Sequence, residues 1–482
     1  MYDVAIIGAG IIGACAAREL SKYALKAIVL EKDSDVAMGA SRANSGVVHA
    51  GHDTVPGTLK SKYNALGQRM FDKLSKELDF PYTRNGSLVV IKSKSDIPAL
   101  EQLKARGEEN GLTDLYIAYE KELFALEPNL SGDIYAALVV PSGGIVSPYE
   151  MTIAFAENAA NNGTQFLLDC QVTGITRDDG CFLIQTTQGP ISTKAIVNAA
   201  GMYSDKINNM LSTHKLTITP RRGEYCLLDK TEGNLVKHTV FQLPTKMGKG
   251  VLIAPTTDGN LLIGPTSEDL QDKDDVATTM SGMADVLSQA KGILKTLPTW
   301  KIITSFSGLR SRLSTGKFVI EEAPDVPGLF NLAGIESPGL TAAPAIGVEA
   351  SRLVANYFNA AKNENFNPIR KGFRPFRTMS NKERKAAIHK NPDYGYIICR
   401  CESVTKAEII AALRSPLPVN SLDAVKRRTR AGMGRCQGGF CWMRLVDIIA
   451  EECGIKLTEV TKYGGNSNIL IEPNKSGFGG AT

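Results

Sequence analysis

A short glycine-rich run near the N-terminus, Gly8-Ala9-Gly10-Ile11-Ile12-Gly13, constrains the fold of this chain more than any other feature. It follows an apolar, strand-like segment, residues 3–7, and precedes a small-residue stretch of helical composition, residues 14–20. In a strand-turn-helix unit the first glycine allows the tight turn and the second lets the backbone approach a diphosphate. The third lets the helix pack closely on the strand. The run therefore predicts a phosphate-binding turn.

A second strand signal completes this unit. The β-branched run of residues 26–30 ends in Glu31, where a carboxylate would accept hydrogen bonds from a ribose hydroxyl. Strand, turn, helix and acid in this order predict a β-α-β unit that binds a dinucleotide. The sequence contains no second run of this kind, which argues against an additional NAD site.

Length and charge exclude several classes of protein. At 482 residues the chain exceeds what one hydrophobic core supports, so we expect two or three domains. A net charge of +5, from 55 Lys and Arg against 50 Asp and Glu, argues against nucleic acid as a partner. The N-terminal apolar run breaks at Gly8, short of the ~20 apolar residues of a spanning helix. We therefore expect a cytoplasmic protein without a membrane span.

Four of the nine cysteines form two close pairs near the C-terminus: Cys399 with Cys401, and Cys436 with Cys441. In a cytosolic chain such pairs indicate a metal site rather than disulfides. Four thiolates can hold either zinc or a 2Fe-2S cluster. Structural zinc sites usually space each pair by roughly two to four residues. A one-residue gap followed by a four-residue gap therefore favours the cluster.

Four segments in order resemble the FAD-dependent oxidoreductases of the D-amino-acid oxidase and glycerol-3-phosphate dehydrogenase superfamily. They are the fingerprint with Glu31 and Lys32, the flavin loop of residues 39–51, and the segments of residues 197–205 and 334–341. In this family the last segment aims a helix N-terminus at the flavin, where it stabilises the negative charge of the reduced form. The resemblance implies that FAD is held by Gly8, Gly10, Gly13, Glu31, Lys32, Ser41, Asn44, Ser45, Gly46, Ala200, Gly201, Gly334, Gly339, Leu340 and Thr341.

The cysteine pattern resembles the ferredoxin-like domain of bacterioferritin-associated ferredoxin, which implies the four paired cysteines as ligands of a 2Fe-2S cluster. Together the two resemblances predict three parts. These are an α/β FAD-binding Rossmann-like domain, an inserted α+β substrate domain with an antiparallel sheet, and a small C-terminal helical 2Fe-2S domain.

The predicted boundaries are 1–80, 141–214 and 300–362 for the FAD-binding domain, 81–140 and 215–299 for the substrate domain, 363–391 for a basic linker or wrapped surface segment, 392–455 for the 2Fe-2S domain and 456–482 for a tail. From Tyr463 on, the tail is rich in Gly, Asn and Ser, and we expect this part to be loosely held.

A flavin and a one-electron centre on one chain indicate a dehydrogenase, in which a hydride passes to flavin N5 and the cluster passes the electrons on singly. The reaction needs a base and a cation that holds an anionic substrate. The resemblance implies His49 of the flavin loop for a flavin-adjacent role and Arg310 for the anion. Weaker candidates for the pocket are His52, His238, Arg222 and Tyr225.

The resemblance leaves more than one substrate open. The cluster domain favours glycerol-3-phosphate, a CH-OH substrate. Family members using it often carry an arginine just after the His-Gly loop, where this chain has His52-Asp53-Thr54. The Arg222-Gly223-Glu224-Tyr225 strand is closer to the L-2-hydroxyglutarate branch. An amine or imino-acid dehydrogenase and an electron-relay subunit are further alternatives.

The partners expected from this chemistry are a small anionic substrate with a phosphate or carboxylate group, an electron-acceptor protein or quinone, and, as an alternative arrangement, further redox subunits. The stretch of residues 366–390 is rich in Lys and Arg. Such a stretch can dock an anionic surface, so peripheral association with the inner face of the membrane is the alternative to a purely cytoplasmic location.

Overall fold

The computed structural model describes residues 1–243 and 250–472 of the chain. The helices are, in chain order, α1 (Ile11–Leu20), α2 (Leu59–Gln68), α3 (Phe71–Leu78), α4 (Ile97–Glu109), α5 (Glu120–Leu126), α6 (Pro148–Asn161), α7 (Ser204–Leu211), α8 (Met280–Lys291), α9 (Gly339–Phe358), α10 (Asn381–Lys390), α11 (Lys406–Leu413), α12 (Leu422–Thr429) and α13 (Trp442–Cys453). The strands are β1 (Tyr2–Ile7), β2 (Ala27–Leu30), β3 (Val47–Val48), β4 (Tyr82–Thr83), β5 (Ser87–Ile91), β6 (Tyr116–Tyr119), β7 (Ala136–Val140), β8 (Gly144–Val146), β9 (Gln165–Leu167), β10 (Val172–Asp178), β11 (Cys181–Thr186), β12 (Ile191–Asn198), β13 (Ile218–Leu228), β14 (Thr239–Gln242), β15 (Leu252–Pro255), β16 (Leu261–Gly264), β17 (Glu268–Asp269), β18 (Ile302–Leu313), β19 (Val319–Glu322), β20 (Leu329–Ala333), β21 (Ile397–Cys399) and β22 (Val404–Thr405).

The first sheet is built on the fingerprint unit. Its order is β10-β11-β12-β1-β2-β9, with β20 joined to β12 and β19 joined to β20. β1 is parallel to both β2 and β12, whereas β10, β11 and β19 pair antiparallel with their neighbours. Alternate residues of β1 enter two cores: Val4 and Ile6 pack with α1 and α9, and Ala5 and Ile7 pack with α7. Because helices cover both faces, the central strands are apolar throughout.

The second sheet is mixed, not antiparallel as predicted. Its order is β17-β13-β16-β15-β14-β5-β7-β6, and β18 pairs with β13. Most pairs are antiparallel, but β5 and β14 are parallel. These two strands come from distant segments of the chain, so no hairpin fixes their relative direction.

Strand β18 corrects the predicted domain boundary at residue 300. It pairs with β13 over its whole length, from Ile302 opposite Leu228 to Leu313 opposite Ile218, and thus belongs to the second sheet. The strand escaped recognition because serine, threonine and arginine dilute its apolar alternation. The remaining predicted boundaries stay predictions.

The C-terminal module is small and mainly helical. Helices α11, α12 and α13 and the antiparallel pair β21-β22 surround a core of residues that includes Ile409, Val425 and Leu445. The Thr405 side chain accepts a hydrogen bond from the Glu408 N–H, and the Glu408 carboxylate accepts one from the Thr405 N–H, so helix α11 begins with a capping box. The module thus has a hydrophobic core of its own, separate from the cores of the two large sheets.

The predicted basic linker and the tail both pack against the rest of the chain. Residues 381–390 form helix α10, and Arg370 upstream of it donates from Nε to Glu157 Oε2 at 2.6 Å. In the part of the tail predicted to be loose, the Tyr463 carbonyl accepts a hydrogen bond from Ser34 Oγ at 2.7 Å, and the Ile469 N–H donates to the Val460 carbonyl at 3.2 Å. Charge and glycine content predicted loose segments because the distant partners are invisible in sequence. Residues 473–482 of the predicted tail lie outside the described residues.

Over residues 1–243 and 250–472, no helix is both long and apolar enough to cross a membrane. The longest, α9, has 20 residues and ends in the left-handed residue Asn359. It carries charged residues such as Glu349 and Arg352, which pair with each other at 2.6 Å.

Candidate active site

A cavity of about 1710 Å³ lies between the two sheets. From the first sheet it is lined by the ends of β1, β2 and β12, and from the second by residues of β13, β14 and β18. Ligand sites of open α/β sheets lie at the carboxyl ends of the strands. The sequence-predicted residues that line it are Gly8, Gly10, Glu31, Lys32, Ser41, Asn44, Ser45, Gly46, His49, Ala200, Gly201, Arg310, Gly339 and Leu340.

The glycines of the fingerprint hold α1 close to the sheet. Gly8 has a φ of +103°, and a Cβ on it would lie 2.5 Å from the carbonyl oxygen of Ala199. A Cβ on Gly13 would overlap the carbonyl oxygen of Gly8, so Gly13 lies behind the cavity wall and serves the packing. Helix α1 then begins at the cavity, and the Ile11 N–H donates to Ser41 Oγ at 2.9 Å. The turn can receive a diphosphate at a helix N-terminus.

Glu31 is buried at the end of β2 and lines the cavity. Its carboxylate accepts hydrogen bonds from the Ala9 N–H at 2.6 Å and from the Asp33 N–H at 3.0 Å. Burial, with the nearby Asp33 carboxylate, raises the pKa of Glu31 to about 7. An ionised acid at this position can accept ribose hydroxyls, as the fingerprint requires.

The raised pKa of Glu31 predicts a pH dependence of stability. The FAD-free folded chain keeps a proton on Glu31 that the unfolded chain, with a pKa near 4.5, releases. The stabilisation is therefore complete below about pH 4.5 and is lost as the pH rises through about 7. We expect the free energy of unfolding of the FAD-free protein to fall relative to that of Glu31→Gln between these values. Denaturant unfolding of both proteins measures this, and parallel pH profiles would contradict it.

The flavin loop is held by its own side chains. Asn44 donates from Nδ2 to the Ala40 carbonyl at 2.9 Å and accepts from the Gly46 N–H at 2.8 Å. Gly46 has a φ of +66°, and a Cβ on it would lie 2.5 Å from the Val146 carbonyl oxygen. These contacts fix the loop where it passes the cavity, and they explain the polar and glycine residues of the predicted motif.

Helix α9 points its N-terminus at the cavity. It begins at Gly339, and Gly339 and Leu340 line the wall. The predicted residues Thr341 and Gly334 do not line the cavity. The buried Thr341 hydroxyl accepts the His49 N–H at 2.9 Å and so joins α9 to the flavin loop, whereas Gly334, with φ +68°, serves a turn beside Leu313. A free helix N-terminus favours negative charge.

His49, Arg310 and Tyr225 all line the cavity, and the side chains of Tyr225 and Arg310 are hydrogen-bonded to each other. Arg310 donates from Nη2 to the Thr266 carbonyl at 2.8 Å. A Cβ on Gly223 would overlap this guanidinium, so the glycine gives it room. Burial raises the pKa of Tyr225, although hydrogen bonding with Arg310 opposes the shift. The arrangement offers a cation and a phenol hydroxyl to an anion, with an imidazole on the same cavity.

The weaker candidates lie elsewhere. Arg222 is buried in ion pairs with Glu268 at 2.5 Å and Asp275 at 3.1 Å and does not line the cavity. His238 Nδ1 lies 2.8 Å from Glu127 Oε1. His52 lines a separate void of only about 10 Å³. Neither His52 nor Asp53 lines the main cavity.

In space, the four cysteines of the C-terminal module form two pairs, each of which joins one cysteine of 399 and 401 to one of 436 and 441. Cys401 Sγ and Cys436 Sγ are 3.6 Å apart at the surface, and Cys399 and Cys441 are buried and hydrogen-bonded to each other. That bond lowers the pKa of Cys399 to about 6. Metal-sulfur bonds of about 2.3 Å allow two thiolates this close to share one ion, so two pairs fit the two irons of a 2Fe-2S cluster. No group of three or more His, Cys, Asp or Glu within the described residues is arranged around one metal ion.

The docking of this module was missed by sequence reasoning. Arg427 and Arg428 of α12 are buried against Asp35, at 2.6 and 2.8 Å, in the loop after Glu31. Arg430 is buried as well. The run of cations at 426–430 was visible in the sequence, but its carboxylate partners lie several hundred residues away along the chain. As a result, Asp423, Lys426, Arg427, Arg430, Met433 and Gln437 of the module line the same cavity as the fingerprint.

Comparison with known proteins agrees with this geometry. Residues 3–353 match the family of FAD dependent oxidoreductases, and residues 397–451 match the BFD-like 2Fe-2S binding domain. The chain is 48% identical to a glycerol 3-phosphate dehydrogenase of Caloramator mitchellensis, over 99% of both chains, and 35% identical to a glycerol 3-phosphate oxidase of Mycoplasma pneumoniae, over 73% of this chain and 94% of the relative.

A solved structure of dithionite-reduced L-alpha-glycerophosphate oxidase from Mycoplasma pneumoniae with FAD bound is 34% identical, with a TM-score of 0.74 over 77% of this chain and 98% of that one. The predicted cofactors, FAD and a 2Fe-2S cluster, are thus confirmed. The chain belongs to the family of FAD-dependent oxidoreductases and carries a BFD-like 2Fe-2S domain after its flavin-binding part.

Proposed function

We propose that this protein is a glycerol 3-phosphate dehydrogenase, which oxidises glycerol 3-phosphate to dihydroxyacetone phosphate and passes the electrons to its 2Fe-2S cluster. The observation that carries the proposal is the Arg310 guanidinium, which reaches the same cavity as the fingerprint and the flavin loop. The full-length relative and the glycerophosphate oxidase structure support the choice of a phosphate substrate.

The protein groups around the cavity suit this reaction. A planar guanidinium binds a phosphate through two parallel hydrogen bonds, so Arg310 would anchor the substrate, with Tyr225 as a second donor. His49, which lines the same cavity, would take the proton of the C2 hydroxyl, since an imidazole changes charge near neutral pH. Bound FAD would supply the two-electron acceptor for the C2 hydride, and the cluster a one-electron acceptor. We place His49 and Arg310 in these roles as proposals.

The residues after the His-Gly loop no longer argue against phosphate. His52 and Asp53 line a small separate void rather than the main cavity. The lack of an arginine at this position therefore leaves the anion site at Arg310 intact. Arg310 would bind the carboxylate of a hydroxy acid or an amino acid as well, so the experiment has to compare substrates.

The test is an anaerobic substrate screen without any added acceptor. We expect glycerol 3-phosphate to bleach the flavin absorbance at far lower concentrations than L-2-hydroxyglutarate or sarcosine. Bleaching by one of these other acids alone would reject glycerol 3-phosphate as the substrate. If none of them reduces the flavin, the chain is a relay of electrons rather than a dehydrogenase.

Replacement of Arg310 tests the anion site. We expect Arg310→Met to raise the glycerol 3-phosphate concentration that half-reduces the flavin about 100-fold, because about two charge-assisted hydrogen bonds to phosphate are lost. Arg310→Lys keeps the positive charge but not the two parallel hydrogen bonds of a guanidinium. Its half-reducing concentration should therefore lie between those of the wild type and Arg310→Met. The measurement is an anaerobic titration of the flavin absorbance.

The matched control is Arg312→Met. Arg312 lies on the same face of β18, pairs with Asp269 at 3.7 Å and does not line the cavity. We expect its half-reducing concentration to stay within about twofold of the wild-type value. Equal effects of the two methionine variants would show that Arg310 acts through the strand and not through the substrate.

A further inference from the structure

Helix α12 of the 2Fe-2S domain forms part of the wall of the FAD cavity. Lys426 and Arg427 line this cavity together with Gly10, Ser41 and Arg42 of the flavin-binding part. The cluster domain therefore closes one side of the space that the fingerprint opens. The charges around Lys426 and Arg427 indicate what kind of ligand these two cations can bind.

Residues from the start of α1, from the flavin loop and from α12 line the same cavity. The Ile11 N–H donates to Ser41 Oγ at 2.9 Å, and Arg42 follows in sequence. Burial, together with the charge of Arg427, lowers the pKa of Arg42. Arg427 in turn is held by Asp35, with Nη2 2.6 Å from Oδ2. Cations of two domains thus meet beside the phosphate-binding turn.

These cations outnumber the carboxylates beside them. Asp33 and Asp423 act on Arg42, but Asp33 also pairs with Lys32 at 3.0 Å. Asp35 is shared between Arg427 and Arg428. Lys426 has its carboxylate partner, Asp423, only at 3.9 Å, and Asp423 also pairs with Lys462 at 3.0 Å. Burial and the neighbouring cations lower the pKa of Lys426. Buried positive charges without enough carboxylates are costly, so a bound anion would stabilise this half-buried wall.

We propose that Lys426 and Arg427 bind the diphosphate of FAD, so that the 2Fe-2S domain completes the cofactor site. The turn at α1 receives the diphosphate with backbone N–H groups, and α12 with Arg42 adds the opposing positive charges. FAD binding and docking of the cluster domain are then coupled, and each stabilises the other by the same factor. The proposal rests on the flavin site and not on the identity of the substrate.

The experiment measures the FAD affinity of the full-length protein after removal of FAD, with its cluster retained. We expect Lys426→Met to weaken FAD binding about tenfold, since one charge-assisted hydrogen bond is lost. The matched control is Lys406→Met, on α11 of the same domain, which does not line the cavity. Its affinity should stay within about twofold of the wild-type value. Quenching of FAD fluorescence gives the dissociation constants, and cluster absorbance verifies that each variant keeps its domain folded.

Inorganic pyrophosphate separates the FAD site from any other anion site. We expect it to compete with FAD in the wild-type protein and to compete much less in Lys426→Met. Pyrophosphate that binds without displacing FAD would reveal a separate anion site and overturn the proposal. An unchanged FAD affinity in Lys426→Met would overturn it as well. Neither result depends on whether glycerol 3-phosphate reduces the flavin.

Discussion

Arg430→Met is expected to disconnect the reduction of the flavin from the reduction of the cluster. Arg430 is 5% exposed and contacts three parts of the chain, one of which is α6, where it donates to the Tyr149 hydroxyl at 3.2 Å. It donates to Glu402 at 2.8 Å, next to the proposed cluster ligand Cys401, and to Asp258 at 2.7 Å and Asn260 at 3.1 Å in the turn between β15 and β16. Arg430 thus holds the cluster loop against the cavity wall.

The expected loss of stability is large because the buried carboxylates of Glu402 and Asp258 lose the guanidinium that pairs with them. Loss of one partner of a buried ion pair costs about 3–5 kcal/mol. Glu402 keeps Lys230 and Asp258 keeps Arg377, so we expect the lower end, about 3 kcal/mol, in the free energy of unfolding. The loop that contains Met433, whose sulfur lies 3.6 Å from the Tyr149 hydroxyl, should lose its fixed distance to the cavity.

Anaerobic rapid mixing with glycerol 3-phosphate measures this. In Arg430→Met we expect flavin bleaching at close to the wild-type rate, followed by cluster reduction at least about tenfold slower, as a misplaced redox group requires. The control is Arg435→Met, in the same module, whose exposed side chain pairs with Asp229 at 3.2 Å. Surface pairs contribute at most about 1 kcal/mol, so its traces should match wild type. Cluster reduction at the wild-type rate in Arg430→Met would contradict the assigned role.

The second large effect concerns the proposed cluster ligands. Cys401→Ser removes the exposed thiol of the surface pair while the buried pair, Cys399 with Cys441, stays packed. Because a 2Fe-2S cluster needs four thiolates, we expect the variant to lose its cluster absorbance. Glycerol 3-phosphate should still bleach its flavin, whereas transfer to a one-electron acceptor should fall about 100-fold or more.

The control for this substitution lies in the same module. Cys453→Ser changes a half-buried thiol at the end of α13, whose sulfur contacts the Val419 carbonyl at 3.5 Å. Iron content and visible absorbance of both variants give the answer. A full cluster in Cys401→Ser, or its loss in Cys453→Ser, would remove the four cysteines from their assigned role.

Much of the flavin-binding part could be predicted because its signals are local. The fingerprint contains its own turn and helix start, and Glu31 follows at the end of the next strand. The loop residues Asn44 and Gly46 bond within their own segment. Such contacts between neighbours in sequence leave a pattern that can be read without a structure.

The features that sequence reasoning missed depend on distant partners. Strand β18 belongs to the second sheet because it pairs with β13 along its whole length. In the sequence, Arg430 is one of several cations in a charged run. Only the structure shows that it is paired with Asp258 and Glu402. Arg222 and Arg310 are both arginines on neighbouring strands, yet only one reaches the cavity. Which side of a strand faces a ligand follows from tertiary pairing.

One measurement tests the central claim most directly: an anaerobic titration of the full-length protein with glycerol 3-phosphate, followed by flavin absorbance and by the paramagnetic signal of the reduced cluster. A flavin takes two electrons and a 2Fe-2S cluster one, so we predict that both are reduced together by about 1.5 equivalents. A flavin that stays oxidised, or a bleached flavin beside a cluster that never becomes reduced, would contradict the account.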